Sequence, residues 1–232
     1  MSGARKALTP RTRRVKKTPT APRTARLGQS RKLGGRFEKA FSFAARKHAA
    51  QTRKASTIPY IAHLMGVASL VLEAGGDEDL AIAALLHDVV EDCGGRPMLK
   101  EVERKFGKRV AQIVDGCTDA YGDPKPPWKE RKDAYIARLK KEEAETRLVS
   151  AADKLNNIRS ILSDYRAIGE SVWSRFNGGR EGTLWYYRTL RDEFLRDEPN
   201  RVTRDFDLAV RELESLTGRG SRIKRNAPSV EV

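Results

Sequence analysis

At 232 residues the chain suits one domain of ordinary size plus tails, and its 39% apolar and 33% charged residues describe a helix-rich protein able to fill a core. No apolar run approaches the roughly 18 residues that span a bilayer, the first 35 residues lack the apolar segment of a secretory signal, and Cys93 and Cys117 offer neither a disulfide framework nor a CxxC spacing, so they read as reduced thiols of a cytoplasmic protein. The formal net charge of +15 is mostly local, because residues 1–35 hold eleven Lys and Arg and no Asp or Glu.

That first stretch combines its cations with Thr, Pro, Ala and Gly and shows no hydrophobic period. It cannot bury enough to offset the entropy of ordering, which predicts a disordered basic tail over 1–35. RNA or ribosome contact through phosphates, an organellar transit peptide and a solvated extension without a role are all open to it. The absence of aromatic residues among the charges argues against a dedicated single-strand binder.

From Arg36 the pattern changes. Phe37, Phe41, Ala44 and His48 recur at helical spacing and predict a helix over about 36–51, with His48 a hydrogen-bonded core residue rather than a ligand. A polar loop carrying Arg53 and Lys54 follows. Thr57-Ile58-Pro59 then reads as a helix start, with Pro59 where its missing N–H does no harm. That helix carries Ile61, Leu64, Met65, Ala68 and Leu72, with His63 as a polar intruder, and ends at Gly75-Gly76.

Asp77 to about Asp92 reads as one helix whose apolar run, Leu80 to Leu86, ends in His87-Asp88-Val89-Val90-Glu91-Asp92. Residues three or four apart share a helical face, so His87 lies beside Glu91, and Asp88 beside both Glu91 and Asp92. Burying unpaired charge is expensive; such an end is either exposed or lines a metal cleft. Helices over 98–106 and 108–117 are separated by Gly107. The turn-rich loop 119–127 delivers Lys125, Trp128, Lys129 and Arg131 to a helix over about 128–143, where a cation such as Lys129 can grip phosphate or simply face solvent. A long helix over 143–165 stacks Asp153 and Asn157 one turn apart. A short helix at 172–176 and helices over 181–196 and 200–216 complete a domain spanning 36–217, with a second disordered tail over 218–232. No alternating strand pattern and no repeat is present. The prediction is an all-α, compact helical bundle.

Three of these helices offer His63, then His87-Asp88, then Asp153. Two imidazoles and two carboxylates suit Mn2+, Fe2+ or Zn2+ rather than Ca2+ or a soft metal, and they can converge only where their helices pack. Four protein ligands leave an octahedral ion with positions open to water and a substrate oxygen.

The constellation His63…His87-Asp88…Asp153 is similar to the HD-domain metal-dependent phosphohydrolases. The run His87-Asp88-Val89-Val90-Glu91-Asp92 resembles the HDxxED signature of the small alarmone (ppGpp) hydrolases. The flanks Phe43-Ala44-Ala45-Arg46-Lys47-His48, Arg53-Lys54, Pro59-Tyr60-Ile61-Ala62-His63 and Ala152-Asp153-Lys154-Leu155-Asn156-Asn157 agree, so the likeness covers about 36–196. The resemblance implies an HD-type bundle in which His63, His87, Asp88 and Asp153 hold a metal, typically Mn2+. It further implies that Glu91 and Asp92 orient and deprotonate the attacking water, and that Arg53, Lys54 and Asn157 contact the nucleotide. The reaction implied is release of pyrophosphate from the 3′ position of ppGpp or pppGpp. The loop Ala55-Ser56-Thr57-Ile58, Leu64 where the family often has Pro, and the segment Lys125–Arg131 depart from the family pattern. Another 3′- or 2′-phosphorylated nucleotide such as NADPH therefore stays open as substrate, and so does a non-catalytic nucleotide- or RNA-binding HD scaffold.

Overall fold

The computed structural model describes residues 32–121, 124–196 and 198–225, with side chains through Gly218. The predicted tail over 1–35, and with it the expected RNA or ribosome contact, lies almost wholly outside these residues. Among the described residues ten α-helices follow one another: α1 (Gly35–Lys47), α2 (Ile61–Glu73), α3 (Glu78–Leu86), α4 (Val89–Cys93), α5 (Gly95–Phe106), α6 (Lys108–Cys117), α7 (Trp128–Leu139), α8 (Ala144–Ile168), α9 (Gly179–Phe194) and α10 (Arg201–Arg225). A 3-10 turn, Gly169–Arg175, joins α8 to α9. Among the described residues the only β-type pairing is one isolated bridge, Thr52 to Pro59. The all-α expectation holds.

The bundle is arranged around α3. Every residue from Leu80 to Leu86 is buried, which is how a helix apolar on all sides must sit. It packs against α1, α2, α6 and α8, while α8 also packs against α2, α6 and α10. The start of α3 is fixed by Asp77, whose Oδ1 accepts from the Leu80 N–H at 3.0 Å. Arg109 on α6 then pairs with Asp77 at 2.8 Å and with Glu145 on α8 at 2.6 Å, fastening three elements at one corner.

Three boundaries differ from the sequence-based expectation. The helix expected over 77–92 is two helices, since the chain turns at His87–Asp88 and restarts with Asp88 as the N-cap of α4. Asp88, at φ −97° and ψ −8°, occupies the bridge region, which re-aims its side chain relative to a straight helix. Helix α2 starts at Ile61 rather than at Thr57–Pro59, because the residues before it pair across the preceding loop. The Arg53 N–H donates to Ile58 O at 2.8 Å and the Tyr60 N–H to Gln51 O at 3.0 Å. Finally, α10 runs past Gly218 to Arg225, where a tail was expected. Thr217 is buried on it, and its carbonyl accepts from Arg180 at 3.2 Å, so the apolar face extends to the point where the sequence turns polar.

Candidate metal centre

Helices α2 and α8 and the junction of α3 with α4 bring four candidate donors together around two imidazole nitrogens. His63 Nε2 and His87 Nε2 are 3.2 Å apart. Asp88 Oδ2 lies 3.0 Å from His87 Nε2 and 3.6 Å from His63 Nε2. Asp153 Oδ1 lies 3.2 Å from His63 Nε2 and 3.6 Å from His87 Nε2. A divalent ion bonded at about 2.1 Å needs neighbouring donors about 3.0 Å apart in octahedral and about 3.4 Å apart in tetrahedral geometry. The His63, His87 and Asp88 donors all lie within 4.8 Å of one another and can hold one ion, and Asp153 Oδ1 reaches the same two imidazole nitrogens from α8. The set of two imidazole nitrogens and two carboxylate oxygens suits a hard-to-borderline dication.

Each donor is aimed by a second contact. The His87 Nδ1–H donates to Ala84 O at 2.8 Å, one turn back on its own helix. The His63 Nδ1–H donates to Asn156 Oδ1 at 2.7 Å. Both bonds leave Nε2 as the inward-facing lone pair. Asp88 Oδ2 accepts from the Tyr60 hydroxyl at 2.6 Å. Asp153 Oδ1 accepts from Asn157 Nδ2 at 2.6 Å, while its Oδ2 accepts from Lys154 Nζ at 2.5 Å. Asn156 reaches His63 only because residue 66 is glycine. A Cβ there would stand 2.3 Å from Asn156 Nδ2, inside any tolerated contact.

The electrostatics of the four groups favour a cation among them. Burial pushes the Asp88 and Asp153 carboxyls upward, yet His87 and His63, and at Asp153 also Lys154, outweigh it and hold both well below the usual carboxylate range. Burial lowers His63 and His87, but the same two carboxylates reverse the sign and favour the imidazolium. Two buried acids thus draw positive charge onto the imidazoles, and a dication held by the same atoms meets the same demand.

The acid pair stands one turn beyond Asp88. The Asp92 N–H donates to Asp88 O at 2.9 Å, and Asp92 Oδ2 accepts from Gln51 Nε2 at 2.9 Å. Gln51 in turn holds His48 Nδ1 at 2.6 Å, so His48 is a buried, hydrogen-bonded histidine as its apolar stripe suggested. Partial burial raises the Asp92 carboxyl above its ordinary value, with Asp88 adding to the shift and Gln51 opposing it. Glu91 Oε1 accepts from Lys125 Nζ at 2.8 Å, and its Oε2 from the Asp119 N–H at 3.1 Å.

At the α8 side of the metal donors, Arg53 Nη2 donates to Asn157 Oδ1 at 2.9 Å and to Ser160 Oγ at 3.3 Å. Through Asn157 it is one hydrogen bond removed from Asp153. Lys54 lies 5.7 Å above the Phe176 ring, with its side chain exposed. Lys129 is not brought to this cluster. Its ammonium is held by Asp133 at 2.6 Å and rests 3.9 Å above the Trp185 ring; Lys125, from the loop before it, reaches Glu91 instead.

Comparison with known proteins places the chain. A family model described as an HD domain matches residues 40–184. The chain belongs to the HD-domain family. Among its relatives, the human guanosine-3′,5′-bis(diphosphate) 3′-pyrophosphohydrolase MESH1 is 41% identical over 125 residues, which is 53% of this chain and 67% of that protein. The Drosophila melanogaster MESH1 is 36% identical over 129 residues, 54% of this chain and 69% of that one. A much longer guanosine-3′,5′-bis(diphosphate) 3′-pyrophosphohydrolase from Aquifex aeolicus is 34% identical, with 54% of this chain matching 18% of its length. A solved structure of a metazoan ortholog of SpoT, described as hydrolysing ppGpp, superposes with a TM-score of 0.66 at 30% identity, over 79% of this chain and 98% of that one.

Within this HD domain, Tyr60, Asn156 and Gly66 serve the site although the sequence pattern did not single them out. Tyr60 is three residues before His63 and Asn156 three after Asp153, so helical spacing alone carried a signal for both. Nothing in the sequence marked Gly66, because its importance lies in what a side chain from another helix does above it.

Proposed function

We propose that this HD domain is a divalent-metal-dependent guanosine-3′,5′-bis(diphosphate) 3′-pyrophosphohydrolase, with Mn2+ the leading ion and Fe2+ or Zn2+ able to occupy the same donors. The carrying observation is the meeting of the His63, His87 and Asp88 donors, with Asp153 Oδ1 at 3.2 and 3.6 Å from the same two imidazole nitrogens, one helical turn from two further carboxylates. The likeness to human MESH1, 41% identical over 125 residues, supports the substrate. When bound, the ion supplies Lewis acidity to water and to a phosphoryl oxygen.

In this reading the chain's own groups do the rest. Arg53 and Lys54 grip the nucleotide, and Asn157, already donating to Asp153, ties that grip to the metal donors. The acid couple, Glu91 and Asp92, orients the attacking water and takes its proton. Asp92 suits the role of base because its raised basicity makes it the better acceptor, while Lys125 holds Glu91 in place at 2.8 Å. The water oxygen bonds to the phosphorus attached to O3′, the P–O3′ bond breaks, and O3′ takes up a proton. Pyrophosphate leaves with the water oxygen, and GDP remains. Cys93 and Cys117 are free thiols, in keeping with action in a reducing compartment such as the cytoplasm.

The test is incubation of purified protein with ppGpp and Mn2+, Fe2+ or Zn2+ in turn, with pyrophosphate and orthophosphate measured separately. Equal amounts of GDP and pyrophosphate are expected. Orthophosphate release alone, or turnover of NADPH but not of ppGpp, would overturn the substrate, and no turnover with any ion would favour a binding scaffold.

A further inference from the structure

Beside the metal donors, Glu91 and Asp92 line a cleft of about 880 Å³, within the range of small-ligand sites. Its walls include two cations. Lys125 reaches Glu91 with one of its three N–H donors. Arg96 lies 4.5 Å above the Tyr121 ring and, among the described residues, has no carboxylate within ion-pair distance. A guanidinium on the wall of a cleft offers a fork of donors to an anion.

The layout gives that fork a job. Arg53, Asn157 and Asp153 are linked by hydrogen bonds at the α8 side of the metal donors, and Glu91 and Asp92 line the cleft at the α4 side. A nucleoside gripped by Arg53 puts its 3′-phosphorus at the donors and sends the second, terminal phosphate toward the acid couple. Two carboxylates there would repel it unless cations intervened. We propose that Lys125 and Arg96 form the subsite for the terminal phosphate of a 3′-diphosphate and make the enzyme prefer diphosphates to 3′-monophosphates. This deepens the proposed function and rests on it for the orientation of the nucleotide. Lys125 does not have to release Glu91: one ammonium serves the carboxylate and a phosphate oxygen together. Arg96 takes two phosphate oxygens with its fork.

The experiment compares kcat/KM for ppGpp with that for guanosine 5′-diphosphate 3′-monophosphate in the wild type, Arg96→Ala, Lys125→Ala and Lys125→Arg. Each alanine variant should lose about tenfold to a hundredfold on the diphosphate, the weight of one charge-assisted contact. Arg96→Ala should lose no more than about twofold on the monophosphate; Lys125→Ala, which also deprives Glu91 of its partner, should fall on both substrates but further on the diphosphate, and Lys125→Arg should recover most of the loss. Independently of turnover, titration of the metal-stripped protein with imidodiphosphate should show binding that orthophosphate does not match and that both alanine variants weaken. Equal losses on both substrates would mean that Lys125 acts only through Glu91, and unchanged selectivity would leave the cleft without this role; either overturns the proposal. If the wild type bound imidodiphosphate through these cations yet hydrolysed nothing, the subsite would stand and the hydrolase reading would fall. Robust hydrolysis with imidodiphosphate binding indifferent to both cations would do the opposite, keeping the hydrolase and removing the subsite.

Discussion

His63 and His87 are each 2% exposed, with one ring nitrogen aimed inward and the other held by a fixed acceptor. Lys54, Arg96 and Lys129, on the segments around them, keep their side chains in solvent. The first pair is placed by three packed helices and by hydrogen bonds that leave no alternative rotamer. The second group is placed by loops and helix ends, with ring faces or single carboxylates as partners. Where position is over-determined, one atom lost disturbs everything it was balanced against. Where it is under-determined, the loss stays with the residue. Substitutions in the two regions should grade that contrast.

The largest effects belong to the buried donors. Asp88→Ala and Asp153→Ala should both reduce bound metal from about one ion per chain to near none by elemental analysis, and reduce turnover by about a thousandfold or more. They should differ in stability. Asp153 also compensates Lys154, whose ammonium lies 2.5 Å away with little exposure, so its removal strands a cation and should cost about 3 kcal/mol or more in chemical denaturation. Asp88→Ala strands no cation and should cost less. Equal stability losses would mean that Lys154 finds another partner and that the donors are less interlocked than their contacts indicate.

A step down in size are the groups that aim the donors. Asn156→Leu should weaken metal affinity about tenfold to a hundredfold while the helices remain folded. Gly66→Ala should do the same from the opposite side, because its methyl would occupy the place of the Asn156 amide. The double variant Gly66→Ala, Asn156→Ala separates steric from electrostatic causes. It should recover stability relative to Gly66→Ala but not affinity, since room is restored and the acceptor for His63 is not. Metal titration followed by calorimetry reads both quantities.

These residues also mark how far the sequence could be read. The four donors were legible because each is a polar residue set into an apolar helix, a placement the physics of burial forbids without a partner. The all-α fold was legible from the 3.6-residue period. The split of α3 from α4 was not, since the apolar run Leu80–Val90 carries no breaker and the turn at His87–Asp88 is a backbone event. The start of α2 was misjudged because Pro59, a good early helical residue, is instead part of a bridge with Thr52. Gly66 was invisible, and Lys125, though marked as a loop cation, could not be matched to Glu91, for a shared reason: the partners Asn156 and Glu91 lie far away in sequence, and only folding sets the distance.

The acid couple sits between the two regimes, and pH tests it. Asp92, raised above the ordinary carboxylate value by partial burial and by Asp88, must be ionised to accept a proton. Activity should therefore rise with pH through its titration and level off above it. Asp92→Asn should abolish that acidic limb together with most of the rate. Gln51→Ala removes the hydrogen bond that favours the ionised form, so the limb should move to higher pH with the plateau nearly kept. A limb that stayed in place would assign the titration to another group.

The smallest effect is expected at Lys129, and it bears most directly on the contrast between the two regions. As a sequence motif it has the same standing as Lys125: the one lies in the first turn of α7 and the other in the loop leading into it. In the fold, Lys129 is committed to Asp133 four residues on and to the Trp185 ring, while Lys125 faces Glu91. An exposed i,i+4 pair is worth about 0.3–0.5 kcal/mol and the ring contact about as much again. Lys129→Ala should therefore lower stability by less than about 1 kcal/mol and leave KM and kcat within about twofold. A rise in KM of tenfold or more would mean that the α7 end swings toward the nucleotide on binding, and that the loops are positioned by substrate rather than by the fold.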